Sequence, residues 1–145
     1  MATLLSIATY GAQCSVDLSN NGEIISHKQA PEANSHSTFL TPFVEEVLHH
    51  QDKAIDGVAY VSGPGSYTGL RIGCSAAKGI CFSRHVPLIE ISTLQLLVSG
   101  YLKLNDYDFL CPMIDARRDE VFQGVFNNDG KLIEKEAPGL RNGKQ

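Results

Sequence analysis

Residues 62–73 read SGPGSYTGLRIG, with glycines at 63, 65, 69 and 73 and a proline at 64. The run follows the apolar segment DGVAYVS (residues 56–62) and precedes a small-and-apolar pattern that continues to Arg84. A strand that empties through such a loop into a helix gathers free backbone N–H groups and the positive end of a helix dipole at one spot. Two jobs fit Gly63, Gly65, Ser66, Thr68 and Gly69. They form a seat for an anion, or they form a purely conformational loop in which Ser66 or Thr68 caps the helix while Gly69 and Gly73 allow close packing. The spacing matches neither nucleotide fingerprint. G-x-x-x-x-G-K-[ST] lacks its lysine, and the third glycine of G-x-G-x-x-G arrives one residue late.

The chain on either side fixes the class of fold. TLLSIA, CSVDLS and EIISHK read as three strands joined by tight turns, with Asn21-Gly22 as a hairpin signal. Phe39, Leu40, Phe43, Val44, Val47 and Leu48 recur at helical spacing over residues 37–50, with Ser35 or Ser37 as cap and Pro42 in the first turns. DGVAYVS is a strand buried on both faces, residues 68–84 form a second helix, VPLIEI is a strand, and Ser92 caps a helix through Leu94, Leu97, Val98 and Tyr101. The order is βββαβαβα. Around KLNDYD the character changes, and FLCPMID, EVFQGVF and KLIEKE read as three further strands. The expected division is residues 1–105 for a first domain and 106–145 for the opening strands of a second.

Composition excludes several functions. With 12 basic and 16 acidic residues, a formal charge of −4 and no Lys/Arg-rich run, the chain is a poor match for a nucleic-acid phosphate backbone. No apolar run approaches the ~18 residues of a membrane span. Cys14, Cys74, Cys81 and Cys111 show no C-x-x-C spacing and no leader precedes them, so they read as reduced thiols serving as small buried hydrophobes in a cytoplasmic protein. His36, Ser37 and Asp17 do not make a triad, because no G-x-S-x-G elbow presents a nucleophile, and His36 reads as a solvent-facing helix-start residue. His49 and His50 are adjacent rather than spaced for chelation and suit a helix C-terminus, and no H-E-x-x-H motif is present.

GPGSYTGLRIG after DGVAYVS, with LLSIAT and CSVDL before it and MIDARRDEVF after it, resembles the TsaB (YeaZ) family of bacterial tRNA-modification proteins. The resemblance spans nearly the whole chain. It implies an α/β, actin/Hsp70/sugar-kinase-like fold of two lobes, each built on an RNase-H-like βββαβα unit, with the second lobe incomplete here because family members are longer. It implies a non-catalytic scaffold in making threonylcarbamoyladenosine next to the tRNA anticodon. The partners so implied are the catalytic subunit TsaD and the ATPase TsaE, with a homodimer when the chain is alone and tRNA met only through the complex. ATP or ADP in the assembled complex is optional.

The resemblance also implies that the two helices of the first lobe meet their counterparts in a four-helix bundle. The stripe Phe39, Phe43, Val47 and the small-residue face Gly73, Ala76, Ala77, Ile80 are then the candidate partner interface. The catalytic relative carries an H-x-x-x-H metal pair after its V-P-x-I strand, whereas here Thr93 and Leu97 stand at those places, and the acidic residue common at the end of the first strand is Ala8, followed by Thr9. No metal and no catalytic residue are expected. Asp115, Arg117 and Glu120, in the DAR-x-x-EV stretch, read as a solvated hairpin tip or as lining for an interlobe cleft. The alternative function is an ATP-binding phosphotransferase or nucleotide switch of the same superfold, with Asp17 or Asp115 organising Mg²⁺.

Overall fold

The computed structural model describes residues 2–33, 35–49, 54–102 and 107–140 and, of residues 135–137, 139 and 140, the backbone alone. The chain divides into two compact units, residues 1–91 and 92–145. The first unit stops one residue short of the end of the strand Leu88–Ser92, so the helix that the sequence reading placed within residues 1–105 is grouped with the second unit. Residue 105 itself lies outside the described residues.

The first unit is built on strands β1 (Thr3–Ala8), β2 (Ser15–Asn20), β3 (Glu23–Gln29), β4 (Gly57–Gly63) and β5 (Leu88–Ser92). They form one sheet in the order β3-β2-β1-β4-β5. β1 runs antiparallel to β2 and parallel to β4, which is the strand arrangement expected of a βββαβα lobe. The β2–β3 hairpin closes on Asn21 and Gly22, whose φ values of 51° and 84° are those of the twist-compatible two-residue turn. Alternation along β1 puts Thr3, Leu5 and Ile7 on a buried face. Val16 and Leu18 of β2 and Val58 and Tyr60 of β4 join that core.

Helices α1 (His36–His49) and α2 (Tyr67–Arg84) cover it. From α1, Leu40, Phe43, Val44 and Val47 point inward, and the Phe39 and Phe43 rings stack at 5.3 Å. Ser35 rather than Ser37 stands at the helix start. Its carbonyl accepts from the N–H groups of Thr38 and Phe39, while its hydroxyl donates to Glu32 O at 2.8 Å. His36 is not in solvent as expected: it is 6% exposed, and its Nε2 lies 2.9 Å from Gly11 O, tying the helix start to the β1–β2 turn. The expected last residue of this helix, His50, lies outside the described residues. α2 ends at His85, whose φ of 55° closes a left-handed cap.

The second unit opens with α3 (Thr93–Ser99), capped by the Ser92 hydroxyl accepting from Leu94 N at 3.2 Å. A four-stranded sheet follows, made of β6 (Phe109–Leu110), β7 (Met113–Arg117), β8 (Glu120–Asn127) and β9 (Leu132–Leu140). FLCPMID is thus two strands rather than the single one expected. Pro112 carries no N–H, so the ladder along that edge of β8 is interrupted there, and β6 and β7 pair with different stretches of it. Leu94 and Val98 of α3 pack on Phe126 of β8.

The cysteines separate by environment. Cys14 is buried, Cys74 and Cys81 are half-buried, and Cys111 is exposed, against the expectation that all four serve as buried hydrophobes. Burial pushes the Cys14 and Cys81 thiols up. Tyr60 sits in the first core on β4, between β1 and β5. Loss of hydration raises its phenol most, hydrogen bonds and charge from Cys74 and Glu90 add to this, and together they bring it to about 12. A group whose folded pKa lies above its unfolded value contributes stability in full below the unfolded value of 10.0 and loses it as pH rises through the folded one. The stability of the wild type should therefore fall relative to Tyr60→Phe between pH 10 and about 12. Denaturant melts of the two proteins across that range measure it, and parallel pH profiles would contradict the assignment.

Candidate functional site

The glycine loop joins β4 to α2, and what it meets is the end of β1. Ser66 N–H donates to Tyr10 O at 2.7 Å, and the Thr9 hydroxyl, itself buried, donates to Gly69 O at 2.7 Å. Ser66 caps α2 through its hydroxyl, which accepts from Gly69 N at 3.3 Å. Gly63 has φ +114°, a left-handed torsion that favours glycine, and the Gly63–Pro64 bond is cis.

The next three glycines are needed for approach. A Cβ on Gly65 would come within 3.0 Å of Tyr10 O, one on Gly69 would do the same at Thr9 O, and one on Gly73 would strike Thr9 Oγ1. The loop and the first two turns of α2 are thereby pressed onto Thr9 and Tyr10, the two residues that follow β1. Thr68, expected as a second capping candidate, is exposed and lies in the helix proper.

That contact sorts the candidate interface residues. Gly73 and Ala77 of α2 and Phe43 and Val47 of α1 are buried inside the unit, so they are corrected from partner interface to core. Gly69 and Gly73 lack a side chain where Thr9, just after β1, lies against them. Phe39, Ala76 and Ile80 are half-buried, packed at the margin of the same core.

What α2 turns outward is a different set. Tyr67 is 74% exposed and Phe82 83%, and the Arg71 guanidinium lies over the Tyr67 ring, 5.4 Å from its centroid. Between α1 and α2 runs an open cleft of about 510 Å³, lined by Ser37, Leu40 and Thr41 from α1 and by Thr68, Arg71, Ile72, Ser75 and Ala76 from α2. Sequence reading missed Tyr67, Arg71 and Phe82. The available signal was helical phase: once Gly69, Gly73 and Ala77 define the inward line, Arg71, Ser75, Lys78 and Phe82 fall on the opposite side at 100° per residue.

Asp115, Arg117 and Glu120 belong to the second unit, at the β7–β8 hairpin, and all three are exposed. Arg117 and Glu120 are ladder partners, which leaves Arg118 and Asp119 as a two-residue turn with φ values of 53° and 62°. Arg117 N–H donates to Asp115 Oδ1 at 2.9 Å. Asp17 pairs instead with His27, its cross-strand neighbour on β3. Thr93 is fully buried and Leu97 is half-buried. Among the described residues no group of three or more His, Cys, Asp or Glu is gathered as a metal site, and no helix is long and apolar enough to cross a membrane.

Residues 23–139 match the family described as TsaD: tRNA N6-adenosine threonylcarbamoyltransferase. The tRNA threonylcarbamoyladenosine biosynthesis protein TsaB of Escherichia coli (strain K12) is 33% identical over 129 residues, which cover 87% of this chain and 55% of that protein. The solved structure of YeaZ from Pseudomonas aeruginosa is 30% identical and superposes with a TM-score of 0.80, covering 95% of this chain and 66% of that one. The chain belongs to the TsaB (YeaZ) family. It spans little more than half the length of the curated family members it matches, 52–60% for three of them. A ROK-family protein from Streptococcus pneumoniae, 13% identical with a TM-score of 0.53 over 90% of this chain and 47% of its own, shares the fold alone and places the family among the sugar-kinase-like, actin-type folds.

The approach of α2 to β1 gives a specific expectation. Gly73→Ala should destabilise the chain by about 1–3 kcal/mol, the cost of overpacking exceeding the gain in helix propensity. Thr9→Ala in the same chain should return part of that loss, since the obstructing atom is a side-chain hydroxyl. Gly69→Ala should gain nothing from Thr9→Ala, because its obstacle is a backbone carbonyl. A double-mutant cycle by urea denaturation reads both couplings. Equal rescue of the two glycine variants would contradict the geometry.

Proposed function

We propose that this chain acts in tRNA threonylcarbamoyladenosine biosynthesis as a non-catalytic docking subunit. The outward faces of α1 and α2 seat against the corresponding helices of the threonylcarbamoyltransferase TsaD. The observation that carries the proposal is the two-sidedness of α2. Its glycine side is taken up by Thr9 and Tyr10 after β1, while its far side carries the strongly exposed Tyr67 and Phe82, and a cleft lined by Leu40 and Ile72 opens between α1 and α2. Exposed aromatic anchors next to a groove suit a helix-on-helix contact.

The non-catalytic part rests on side-chain chemistry. Ala8 at the end of β1, and Thr93 and Leu97 at the start of α3, offer no carboxylate or imidazole with which to hold a metal or orient a phosphate. On this reading TsaE and tRNA are met through the complex, any ATP or ADP belongs to the assembly, the chain pairs with itself when TsaD is absent, and the site of action is the cytoplasm. Asp115, Arg117 and Glu120 are then available as a second set of polar contacts. The phosphotransferase alternative is weakened by the loop itself, where Ser66 N–H and Gly69 N–H are already engaged by Tyr10 O and Ser66 Oγ.

Size-exclusion with light scattering of the chain mixed with TsaD from the same organism tests the proposal. A mixed dimer is expected, and Ala76→Arg in the cleft wall or Phe82→Asp on the exposed face should weaken it at least about tenfold, that is by ~1.4 kcal/mol or more, with the helical circular dichroism unchanged. Mixed dimers that both variants leave intact would overturn the placement of the interface. Wild-type proteins that ignore each other would overturn the docking role.

A further inference from the structure

The outward side of α2 carries one sign of charge. Its sequence, YTGLRIGCSAAKGICFSR, holds Arg71, Lys78 and Arg84 and no Asp or Glu, in a chain with 16 acidic residues against 12 basic ones. Arg84 stands in the last turn, where the helix dipole favours a cation. Arg71 and Lys78 have no such reason. Both are exposed, and they fall on the outward line between Tyr67 and Phe82, so the face reads aromatic, cation, cation, aromatic over a rise of roughly 22 Å. With no carboxylate on α2, neither has a helical neighbour of opposite charge, and neither joins an ion pair among the described residues. The Arg71 guanidinium rests instead over the Tyr67 ring.

The cleft between α1 and α2 repeats the pattern. Its walls carry the hydroxyls of Ser37, Thr41, Thr68 and Ser75 together with Arg71, and no carboxylate among the described residues. Ser37 and Thr68 stand in the first turns of α1 and α2, neither of which contains an acidic residue, so the positive ends of two helix dipoles adjoin the same cleft. Of the two exposed carboxylates on α1, Glu46 is held by Lys28 of β3 at 2.5 Å and Glu45 lies outside the cleft lining. We infer that the partner surface received by α2 and the cleft is acidic, a helix pair of TsaD that sets carboxylates opposite Arg71 and Lys78, and that these two residues determine which partner docks. The inference rests on the docking reading above and deepens it by naming charge as the selecting property. A second copy of this chain fits less well, since a two-fold contact sets the cationic face against itself, and the self-pair is the looser of the two. A nucleic-acid backbone also fits less well, because two cations flanked by exposed aromatics in a chain of charge −4 make a short phosphate contact, whereas aromatic anchors beside a groove suit a protein.

The affinity of the full 145-residue chain for TsaD from the same organism, measured by calorimetry, tests the inference. Arg71→Glu with Lys78→Glu should weaken the complex at least about tenfold, and Arg71→Gln with Lys78→Gln should weaken it less, because the neutral pair removes attraction without adding repulsion. Raising the salt from about 0.05 to 0.5 M should weaken the wild-type complex and strengthen that of the reversed variant. Lys131→Glu, exposed in the second unit and away from the docking face, should leave the affinity within about twofold. A complex that the reversal leaves intact overturns the acidic partner while the docking reading stands. A loss that salt does not relieve assigns Arg71 and Lys78 to packing and overturns it as well. No complex with the wild type overturns the docking reading and this inference with it. A wild-type self-pair tighter than the pair with TsaD, or tRNA bound by the chain alone and released by the reversal, assigns the face to that occupant and overturns the proposed one.

Discussion

The first unit depends on one contact, the seating of the α2 start on Thr9 and Tyr10 at the end of β1. Two hydrogen bonds of 2.7 Å and three positions without a Cβ hold the loop and helix start against the two residues after β1 closer than ordinary side chains permit. A close approach fixes direction as well as distance. With Gly65, Gly69 and Gly73 against Thr9 and Tyr10, the phase of the rest of α2 is set, and Tyr67, Arg71, Ser75 and Phe82 are turned away from the core. The β-strand end, the glycine loop and the outward helix face are therefore one mechanical element. In the loop that looks like a ligand seat, the Ser66 N–H is given to Tyr10 O and the Gly69 N–H to the Ser66 hydroxyl.

This arrangement gives the two helices distinct roles. α1 supplies bulk to the core through Leu40, Phe43, Val44 and Val47, while α2 supplies closeness through glycine and alanine. Between their outer edges lies a cleft with hydroxyls, one arginine and an apolar floor. Such a surface is suited to another helix pair and poorly suited to a duplex, given a chain charge of −4 with no basic run. Family membership supplies the biochemical setting, and the exposed face supplies a reason for a partner within it.

Much of the scaffold was legible in the sequence. Asn21-Gly22 encodes its hairpin through the torsions it tolerates, and DGVAYVS encodes a doubly buried strand through its apolar run. The glycine loop was legible as a strand-to-helix junction but not as to its occupant, because torsion and close approach call for the same residue. Periodicity said that Gly73, Ala76, Ala77 and Ile80 share a face. It could not say whether the chain's own core or a partner helix lies against it; Gly73 meets the Thr9 side chain and Ala77 is buried in the core. The Arg118-Asp119 turn carries no glycine despite two left-handed residues, so no turn signal marked its type. Tyr60 gave no sign of its environment, since Cys74 and Glu90 come to it from α2 and β5.

Hydroxyl-radical footprinting of the chain with and without the threonylcarbamoyltransferase TsaD measures the central claim at the side chains that carry it. Tyr67 and Phe82 are strongly exposed reporters on α2, and Phe109 and Met113 are exposed reporters in the second unit. The account predicts that complex formation suppresses oxidation of Tyr67 and Phe82 and leaves Phe109 and Met113 as reactive as before. A stable complex in which Tyr67 and Phe82 stay fully reactive would contradict it.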